Sequence, residues 1–519
     1  MPTANARTLA LILGDQLDAS YLDTLELDRD QDVILMVEVT HASEAPPSHV
    51  QRTVVFLSAM RHHAEALREK GWRIEYVELS DGANTHSFAG ELGRAIESLK
   101  PERVVGVLPG SFSVRSEIEE ACDESGVEMS WHEDPHFLCS TDEFGKWASG
   151  RKELIMEYFY REQRKRLGVL MTDDGKPEGG EWNYDKSNRK AFKSAPDLPH
   201  ARTFRPDDIT KRVIEDVAGA LPDLPGRIDM FEWPVTRREA LAALRDFVEQ
   251  RLPCFGDFQD AMWTGEDKLY HSMLSSSLNL KLLNPREVVD AAVAAYDAGE
   301  APLNAVEGFV RQIIGWREFI RGVYFYEGEG YDDRNALEQH GALPDFYWTG
   351  ETDMRCMGES LRSVLDRAYG HHIARLMVTG NFALISGISP QAINDWYLGM
   401  YVDAINWVTS PNTVGMAMHA DGGVVGTKPY AASGKYIDRM GNYCKGCRYD
   451  VKQRTGEDAC PFNTFYWDFL IRNQDRFKNN RRMTMILKNV ERMDGDQRVE
   501  ITVSADKLRD RLGVGSIKG

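Results

Sequence analysis

The sequence predicts an α/β domain built on a doubly wound parallel sheet, followed by a large all-α domain. The first third alternates short apolar runs with amphipathic helical patterns, which is typical of a parallel sheet covered on both faces. From Thr236 onward, apolar residues recur at helical spacing and strand-like runs are scarce. With 519 residues, 42% of them hydrophobic, the chain is long enough for two cores.

The individual elements follow from these two periodicities. Short apolar strands are predicted at residues 9–13, 33–39, 73–79, 104–108 and 127–131. Amphipathic helices between some of them are predicted at residues 52–70, 88–100 and 113–124. Further helices are predicted at residues 238–252, 285–298, 301–326, 358–369 and 371–384. The resulting organisation is an α/β domain at 1–135, a long connector at 136–235, a helical domain at 236–475 and a C-terminal tail at 476–519.

The connector contains a basic run at 161–166 and a polar stretch with Gly and Pro at 171–206. Connections of this length are uncommon unless they cover something. Basic residues interleaved with Tyr and Trp suit contact with nucleic acid. A solvated helix face is the more common meaning of one basic run, and both interpretations stay open at this point.

The charge of the chain limits its partners. Its 62 Lys and Arg against 81 Asp and Glu give a net charge of −19, which excludes a protein that coats DNA or an anionic membrane with its whole surface. A local basic groove remains compatible with this total. The apolar run at 9–13 is too short for a signal peptide, and no stretch has the length of a membrane-spanning helix. We expect a cytoplasmic protein without a membrane partner.

The cysteine spacing gives the strongest local motif. Cys444, Cys447 and Cys460 form a pair and a single cysteine followed by Pro, which favours a metal centre over three buried thiols. A fourth ligand has to come from upstream, and Cys356 is the preferred candidate. The pattern favours an iron–sulfur cluster over zinc, although spacing alone does not decide between them. The remaining cysteines, Cys122, Cys139 and Cys254, are most simply packing residues.

Other candidate residues are ambiguous on pattern alone. Gly14, Asp15 and Gln16 follow the first predicted strand and Glu38 lies near the end of the second, where ligands of parallel sheets bind, but ordinary turn residues also occur there. The adjacent His371 and His372 cannot share one helix face, and a histidine near a pocket can act as an acid or base. A satisfied core histidine is the usual alternative. The tryptophans of the helical half are more often core residues than cofactor contacts.

Several motifs in a fixed order then identify a family. They are LNAVEGF at 303–309, QIIGWREF at 312–319, the segment 371–382, GTKPYAASG at 426–434 and the cysteine cluster. With these motifs the chain resembles the photolyase/cryptochrome superfamily over nearly its whole length. Within it, the resemblance is to the iron–sulfur bacterial branch, which contains the prokaryotic (6-4) photolyases.

The resemblance implies an antenna domain, a helical FAD domain and three cofactors. These are FAD, a [4Fe-4S] cluster on Cys356, Cys444, Cys447 and Cys460, and the antenna pigment 6,7-dimethyl-8-ribityllumazine. The pigment is expected against Gly14, Asp15, Gln16 and Glu38. The residues expected to bind FAD are His271, Ser272, Leu274, Ser275, Asn279, Gln312, Trp316, Arg317, Arg375 and Asp403. The family often has Asn near flavin N5, whereas alignment puts Thr409 there in this chain.

The remaining residues are expected to serve the reaction and its substrate. Trp348, Trp396 and Tyr397 match electron-transfer positions, and His371 and His372 match the histidines at the (6-4) lesion. Contacts to DNA are expected from Arg189, Lys428 and Tyr430. We expect positive potential around the mouth of the FAD pocket, from these cations and the 161–166 run.

The function implied by the resemblance is light-driven repair of (6-4) pyrimidine–pyrimidone photoproducts in UV-damaged DNA by a monomeric DNA photolyase, a lyase in which reduced FAD donates an electron. The alternative within the branch is a cryptochrome-like blue-light photoreceptor without repair activity. An iron–sulfur DNA-binding module without light chemistry is a third hypothesis, which a purified protein lacking flavin would favour.

Overall fold

The computed structural model describes residues 6–44 and 46–517 of the chain. It confirms the predicted fold class, a parallel sheet followed by a largely helical remainder. Residues 1–5, 45, 518 and 519, which include the first residues of the predicted α/β domain and the last of the predicted tail, lie outside the described residues.

The sheet has five parallel strands in the order β3-β2-β1-β4-β5. They are β1 Thr8–Leu11, β2 Val33–Val37, β3 Ile74–Val77, β4 Arg103–Val107 and β5 Met129–His132. All four residues of β1 and all five of β2 are buried, because helices cover both faces of the sheet. From β1 the chain first builds the sheet to one side with β2 and then to the other side with β4, so the direction of winding reverses at β1. Ligands of such sheets bind at the reversal, which is here the crevice beyond the carboxyl ends of β1 and β4.

Helices accompany the sheet and continue through the connector. Those of the sheet domain are Tyr21–Thr24, His41–Glu44, Val50–Glu69, Phe88–Leu99 and Phe112–Ser125. The connector contains Thr141–Ala148, Met156–Leu167, a 3-10 turn at Glu178–Gly180 and Asp208–Ala220. It is packed against the helical part: the Phe144 ring lies 5.8 Å from the ring of Phe319. A Cβ at Gly322 would lie 2.1 Å from the Phe144 ring, so this crossing requires glycine.

The helical part extends to the C-terminus. Its α-helices are Arg237–Gln250, Leu252–Phe258, Ser275–Asn279, Pro285–Asp297, Leu303–Val310, Glu318–Glu327, Phe346–Thr349, Arg355–Arg367, Asn381–Ser386, Pro390–Met400, Asn406–Ser410, Gly434–Met440, Pro461–Arg472, Gln474–Phe477, Thr484–Glu491 and Gly495–Leu512. Two 3-10 turns lie at Tyr331–Asp333 and Tyr443–Gly446. Three π-helical segments, Arg311–Arg317, Ala374–Gly380 and Pro411–Ala417, interrupt otherwise α-helical stretches. Such segments often occur at functional sites. No helix in the described part of the chain is long and apolar enough to cross a membrane.

Buried hydrogen bonds join the sheet domain to the helical part. At the start of helix Val50–Glu69, the ring Nε2 of His49 lies 2.9 Å from the carbonyl oxygen of Leu365. The Gln51 amide donates to the carbonyl of Asp366 at 2.8 Å and accepts from the indole of Trp233 at 3.0 Å. Because these polar groups are buried, breaking the contact would leave them without partners.

The segment after residue 476, for which the sequence predicted only a charged tail, forms two helices docked on the helical part. The fully buried carboxylate of Asp468 in helix Pro461–Arg472 accepts from Arg472 at 2.8 Å and also pairs with Arg509. Arg509 donates in addition to the carbonyl of Ser386 at 2.8 Å. A buried carboxylate between two guanidinium groups therefore fixes the last helix.

We expect Asp468→Ala to lower the free energy of unfolding by about 3–5 kcal/mol, because two arginines lose their buried partner. Asp506→Ala is the matched control, since Asp506 pairs with the same Arg509 but its side chain is 65% exposed. That change should cost less than about 1 kcal/mol. Urea unfolding followed by circular dichroism measures both, and equal losses in the two variants would contradict the assignment.

Candidate functional site

The centre of the site is an ion pair between the half-buried Arg375 and the buried Asp403. The guanidinium donates to both carboxylate oxygens, at 2.9 and 3.1 Å, and its carbon lies 4.0 Å from the centre of the Tyr401 ring. Burial alone would raise the pKa of Asp403, but the Arg375 charge and its hydrogen bonds hold that pKa below its ordinary value. Arg375 lies in a π-helical segment and Asp403 follows helix Pro390–Met400, so two separate elements supply the pair.

The predicted segment around residues 271–279 lies beside this pair. The Asn279 amide donates to the backbone carbonyl of Asp403 at 2.7 Å, and the Ser275 hydroxyl helps to lower the pKa of the Asp403 carboxyl. Ser276 and Ser277 are buried, and their hydroxyl groups have no hydrogen-bond partner among residues 6–44 and 46–517. Buried hydroxyls are normally paired, so these two indicate a place where a polar ligand would complete the bonding.

Arg251 fixes the start of the same segment. Its guanidinium donates to the carbonyl of His271 at 3.1 Å and lies 3.5 Å from that of Ser272. The Ser272 hydroxyl accepts from the backbone N–H of Leu274 at 3.4 Å, and the Leu274 side chain is buried. The residues predicted from 271 to 279 are thus brought together with Arg375 and Asp403.

The two predicted histidines differ in exposure. The His371 ring is buried and stacks on the ring of His271, with centroids 4.6 Å apart. The His372 side chain reaches solvent, in a concave part of the surface. Surrounding protein and the Arg375 charge lower the pKa of His372 to about 4, and burial with neighbouring His271 lowers that of His371 well below its usual value. Both rings are therefore neutral near pH 7 in the DNA-free protein.

The three predicted electron-transfer residues lie in or beside one aromatic cluster. The Trp396 ring is fully buried and lies 5.4 Å from the Tyr397 ring and 5.1 Å from that of Tyr347. Trp348, the next residue after Tyr347, is 37% exposed. Tyr401, which the sequence analysis did not select, stacks on Tyr397 at 5.1 Å and carries the Arg375 guanidinium on its ring. Ring contacts thus connect Tyr347, Trp396, Tyr397 and Tyr401 with one another and with Arg375.

Three predicted residues of the 311–317 π segment contact other groups. Gln312 donates to the carbonyl of Gly308, one turn earlier, at 2.9 Å. Trp316 packs edge-on against Phe319 at 6.1 Å. The Arg317 guanidinium lies 4.1 Å from the centre of the Phe137 ring, at the boundary with the sheet domain. None of these contacts places the three residues at the Arg375–Asp403 pair.

Most of the side chains predicted to bind a ligand at the sheet edge make contacts within the sheet domain. The Glu38 carboxylate is fully buried and accepts from Arg61 at 2.7 Å and from the Tyr76 hydroxyl at 2.6 Å. The Gln16 amide donates to the carbonyl of Val107 at 2.9 Å. These two side chains hold the fold, and a ligand would have to displace existing bonds to reach them. Gly14 is packed close to a helix, since a Cβ there would lie 3.0 Å from the sulfur of Met60.

A second polar cluster, between the domains, was not predicted from the sequence. We call it the interdomain cluster, and its members are Asp15, Phe137, Lys281, Arg317 and Trp407. The Lys281 ammonium donates to the carbonyl of Asp15 at 2.7 Å. Within the described part of the chain, the indole N–H of Trp407 and two nitrogens of Arg317 make no hydrogen bond. It lies beyond the carboxyl ends of β1 and β4, since a Cβ at Gly110 would lie 2.7 Å from Trp407 and 3.3 Å from the Asp15 carboxylate. The signal available in the sequence was only the position of Asp15 after the first strand.

The four predicted cysteine ligands line one small cavity. Cys356, Cys444, Cys447 and Cys460 are free thiols, surrounded by apolar side chains that include Met354, Ile437 and Phe462. Burial raises the pKa of Cys444 to about 12 and that of Cys460 to about 11. A Cβ at Gly434 would lie 2.8 Å from the Cys460 sulfur, so this glycine keeps the cavity open.

Among the described residues, no group of three or more His, Cys, Asp or Glu side chains is placed to hold a metal ion. The other cysteines, Cys122, Cys139 and Cys254, do not line this cavity.

Charges of both signs act on the predicted DNA residue Tyr430. Burial raises the pKa of Tyr430 and the Asp185 charge adds to this, while the charges of Arg482 and Arg189 act in the opposite direction. Lys428 also lies near Arg482, and Arg439 lies with Arg189 near Tyr436 and Asp260. Arg439 and Arg482 were not selected from the sequence, because they lie in separate segments that only the fold brings together.

The basic run at 161–166 does not feed this surface as predicted. Arg164 is fully buried and donates to the carbonyls of Trp182 and Val169, at 3.0 and 3.3 Å. Arg166 donates to the Gln163 amide oxygen at 2.7 Å, and Arg161 pairs with Glu157 at 2.8 Å. Most of the run therefore satisfies internal acceptors, which is the structural role that a basic run has more often.

Comparison with known proteins gives a consistent result. A protein of Agrobacterium fabrum (strain C58 / ATCC 33970) named (6-4) photolyase is 47% identical over 506 residues, which cover 97% of this chain and 99% of that protein. The family described as deoxyribodipyrimidine photo-lyase-related protein matches residues 10–233.

Two solved structures share the fold. A bacterial class III photolyase from Agrobacterium tumefaciens aligns over 98% of both chains, with a TM-score of 0.56 and 14% identity. The cryptochrome of Synechocystis sp. PCC6803 aligns over 85% of this chain and 89% of its own, with a TM-score of 0.54 and 12% identity. At these identities the two structures support the fold alone.

The buried imidazoles make stability depend on pH. The pKa of His371 is far below that of an unfolded chain, so between pH 7 and pH 5 the unfolded state takes up a proton that the folded state does not. Stability therefore falls as the pH falls, by about 1–2 kcal/mol for this residue over that interval. In His371→Asn, the loss of unfolding free energy between pH 7 and pH 5, measured by urea unfolding, should be smaller by this amount. An unchanged loss would contradict the assignment of this effect to His371.

Proposed function

The chain belongs to the photolyase/cryptochrome superfamily, and we propose on that premise that it repairs (6-4) pyrimidine–pyrimidone photoproducts in DNA under light. The observation that carries the proposal is the likeness to a protein named (6-4) photolyase over 99% of that protein's length. The adjacent His371 and His372, beside the Arg375–Asp403 pair, give the proposal a chemical basis in this chain.

We propose that FAD binds at the Arg375–Asp403 pair. When bound and reduced, FAD would supply the electron that light transfers to the photoproduct. The unpartnered hydroxyls of Ser276 and Ser277 suit phosphate oxygens, which accept hydrogen bonds. Arg375 would favour negative charge on the ring system, and Asp403 would hold that guanidinium in place. The fit supports His271, Ser272, Leu274, Ser275 and Asn279 as further contacts.

The proposed acid in the reaction is His372, with His371 beside it. His372 would donate a proton from its ring nitrogen to the hydroxyl group that is transferred back between the two bases. Its pKa of about 4 means that it carries no proton near pH 7 before DNA arrives. DNA phosphates would raise this pKa by their negative charge, so the acid would form only in the complex.

Electrons would reach the flavin site through the aromatic cluster. Trp348 is exposed enough to exchange electrons with a reductant in solution, and Trp396 and Tyr397 lie further inside. Ring contacts of 5.1–5.4 Å link Tyr347, Trp396 and Tyr397. Because the cluster is shielded from water, an oxidised ring inside it would regain its electron from Trp348.

The proposed substrate is UV-damaged duplex DNA, held at the cations around Tyr430. Residues 1–135 contain 11 Lys and Arg against 25 Asp and Glu, so most of the excess acid belongs to the sheet domain. Arg189 and Lys428 would then face the phosphates from a part of the molecule that is close to neutral. Tyr430, half-buried among these cations, would contact the sugar or a base. A lesion inside a duplex has to leave the stack to reach the site, and photolyases are among the enzymes known to flip bases.

Two further groups belong to the proposal. A [4Fe-4S] cluster suits the four cysteines, because their cavity is apolar and supplies four sulfur ligands. For 6,7-dimethyl-8-ribityllumazine, the interdomain cluster offers aromatic rings and the free donors of Arg317 and Trp407. Of the predicted antenna residues, Asp15 takes part in this cluster, whereas the side chains of Glu38 and Gln16 make their hydrogen bonds within the sheet domain.

Purified protein with reduced flavin should restore normal bases in (6-4)-containing DNA under blue light. His372→Ala should lower the repair rate about a hundredfold or more, which is the usual contribution of a general acid, with the flavin spectrum unchanged. His340→Ala, at an exposed histidine outside the site, is the control and should behave as wild type. If the wild-type protein binds this DNA but repairs none of it, the result would favour a photoreceptor without repair activity over a repair enzyme. Repair of cyclobutane dimers instead would change the assigned lesion.

The iron–sulfur proposal predicts iron near the four atoms of one cluster per chain, with broad visible absorption beyond that of flavin. Cys356→Ser should lose most of this iron, because it removes one of four ligands. Cys254→Ser is the control, since Cys254 does not line the cavity. Iron analysis and absorption spectra measure both variants. Full iron content in Cys356→Ser would remove Cys356 from the ligand set.

A further inference from the structure

The guanidinium of Arg52 crosses from the sheet domain to the helical part. Arg52 lies in the first turn of helix Val50–Glu69, and its Nη2 donates to the backbone carbonyl of Ala404 at 3.1 Å. Ala404 follows Asp403, the carboxylate of the central ion pair, and precedes Trp407 of the interdomain cluster by three residues. Arg52 therefore contacts the stretch of backbone that connects the proposed flavin site with the proposed pigment site.

Local contacts already fix the direction of the Arg52 side chain. Its Nη1 donates to the hydroxyl of Ser48 at 3.1 Å, and the fully buried Ser48 also accepts from the hydroxyl of Thr53 at 3.2 Å. The guanidinium carbon lies 4.8 Å from the centre of the Phe56 ring, so this ring packs against the cation. A cation that is held in this way needs little further ordering when a ligand binds to it.

In the described part of the chain, the charge of Arg52 is not matched by an ion pair, and its Nε makes no hydrogen bond. Surrounding protein lowers its pKa to about 10, and the charges of Asp403 and Asp15, which act in the opposite direction, do not offset this. By contrast, the buried Arg61 and Arg509 each pair with a buried carboxylate. Since an enclosed cation without a partner is costly, an anionic group is expected beside Arg52.

The position of Arg52 is also unfavourable for its own helix. The first turn of Val50–Glu69 contains no acidic residue, and Arg52 adds a positive charge at the end where the helix dipole is itself positive. Neither helix stability nor an ion pair within the described residues therefore accounts for a cation at this place. A ligand that brings negative charge would account for it.

FAD offers two sources of negative charge, its phosphates and its ring system after reduction. The phosphates have a separate candidate place, at the hydroxyls of Ser276 and Ser277. Arg52 instead donates to the carbonyl directly after Asp403, which with Arg375 marks the proposed position of the ring. Two electrons and one proton convert the oxidised ring to a reduced form with one negative charge. The contacts of Arg52 thus favour the reduced ring as its partner.

We propose that Arg52 is a second flavin-binding guanidinium, supplied by the sheet domain, which favours the reduced and negatively charged ring of FAD over the oxidised ring. The inference rests on the proposed function and deepens it, since the proposed repair reaction needs FAD in its reduced state. Docking of the sheet domain on the helical part then helps to keep the flavin reduced, because it brings Arg52 to the site.

The test is the midpoint potential of bound FAD, measured by anaerobic reduction beside a reference dye. The variants are Arg52→Gln, which removes the charge but keeps a donor, and Arg52→Lys, which keeps the charge. Arg52→Met replaces Arg52→Gln if that variant does not fold, as judged by circular dichroism. Dissociation constants of oxidised FAD are measured by flavin fluorescence on the same proteins. Arg68→Gln is the matched control, because Arg68 is an exposed arginine of the same helix.

We expect Arg52→Gln to bind reduced FAD about tenfold less well relative to oxidised FAD, which lowers the two-electron midpoint potential by about 30 mV. Arg52→Lys and Arg68→Gln should keep the wild-type potential. An unchanged potential in Arg52→Gln would overturn the proposal, and so would an equal weakening of both forms, which indicates a phosphate contact. A potential in Arg52→Lys as low as in Arg52→Gln would overturn the role of the charge.

Failure of the proposed function has a different signature. Wild-type protein that binds no FAD would refute both the function and the role of Arg52. Protein that binds FAD and shows the shift in Arg52→Gln, but repairs no photoproduct, would refute the repair function alone. Repair by the wild-type protein with an unshifted potential in Arg52→Gln would refute only the role of Arg52.

Discussion

The organisation of the helical part depends on the need to keep the half-buried guanidinium of Arg375 opposite the buried carboxylate of Asp403. The two residues come from different elements, and each makes a further contact, Asp403 with the Asn279 amide and Arg375 with the Tyr401 ring. An unpaired charge at this depth would be costly, so the elements that supply the two partners have to be placed together. The stacked histidines and the aromatic cluster are attached to the same π segment.

The sequence was informative where a pattern is local and physical. Apolar runs predicted all five strands to within a few residues, because burial on both faces leaves little choice of side chain. The cysteine spacing led to four side chains that do share one cavity, including the distant Cys356. By contrast, π segments, the interdomain cluster and the role of Glu38 depend on contacts between remote residues. The spacing of apolar residues does not reveal one extra residue in a helical turn, so the π segments could not be predicted. A buried glutamate looks the same in sequence whether it binds a ligand or an arginine.

Charge is distributed by domain, which resolves the apparent conflict between a net charge of −19 and a DNA substrate. The sheet domain carries most of the excess acid, and cations from four separate segments converge near Tyr430. A polyanion approaching such a molecule is repelled from one end and attracted at the other. In the basic run, Arg164 instead donates to the carbonyls of Trp182 and Val169.

The π segments also restrict how the gene for this protein can change. A residue in an α-helix advances by about 100° around the axis, since one turn takes about 3.6 residues. Loss of one codon within Ala374–Gly380 would convert the wide turn into a regular one, and Arg375 would change its direction relative to Asn381–Ser386. The length of such a stretch is therefore inherited as a unit.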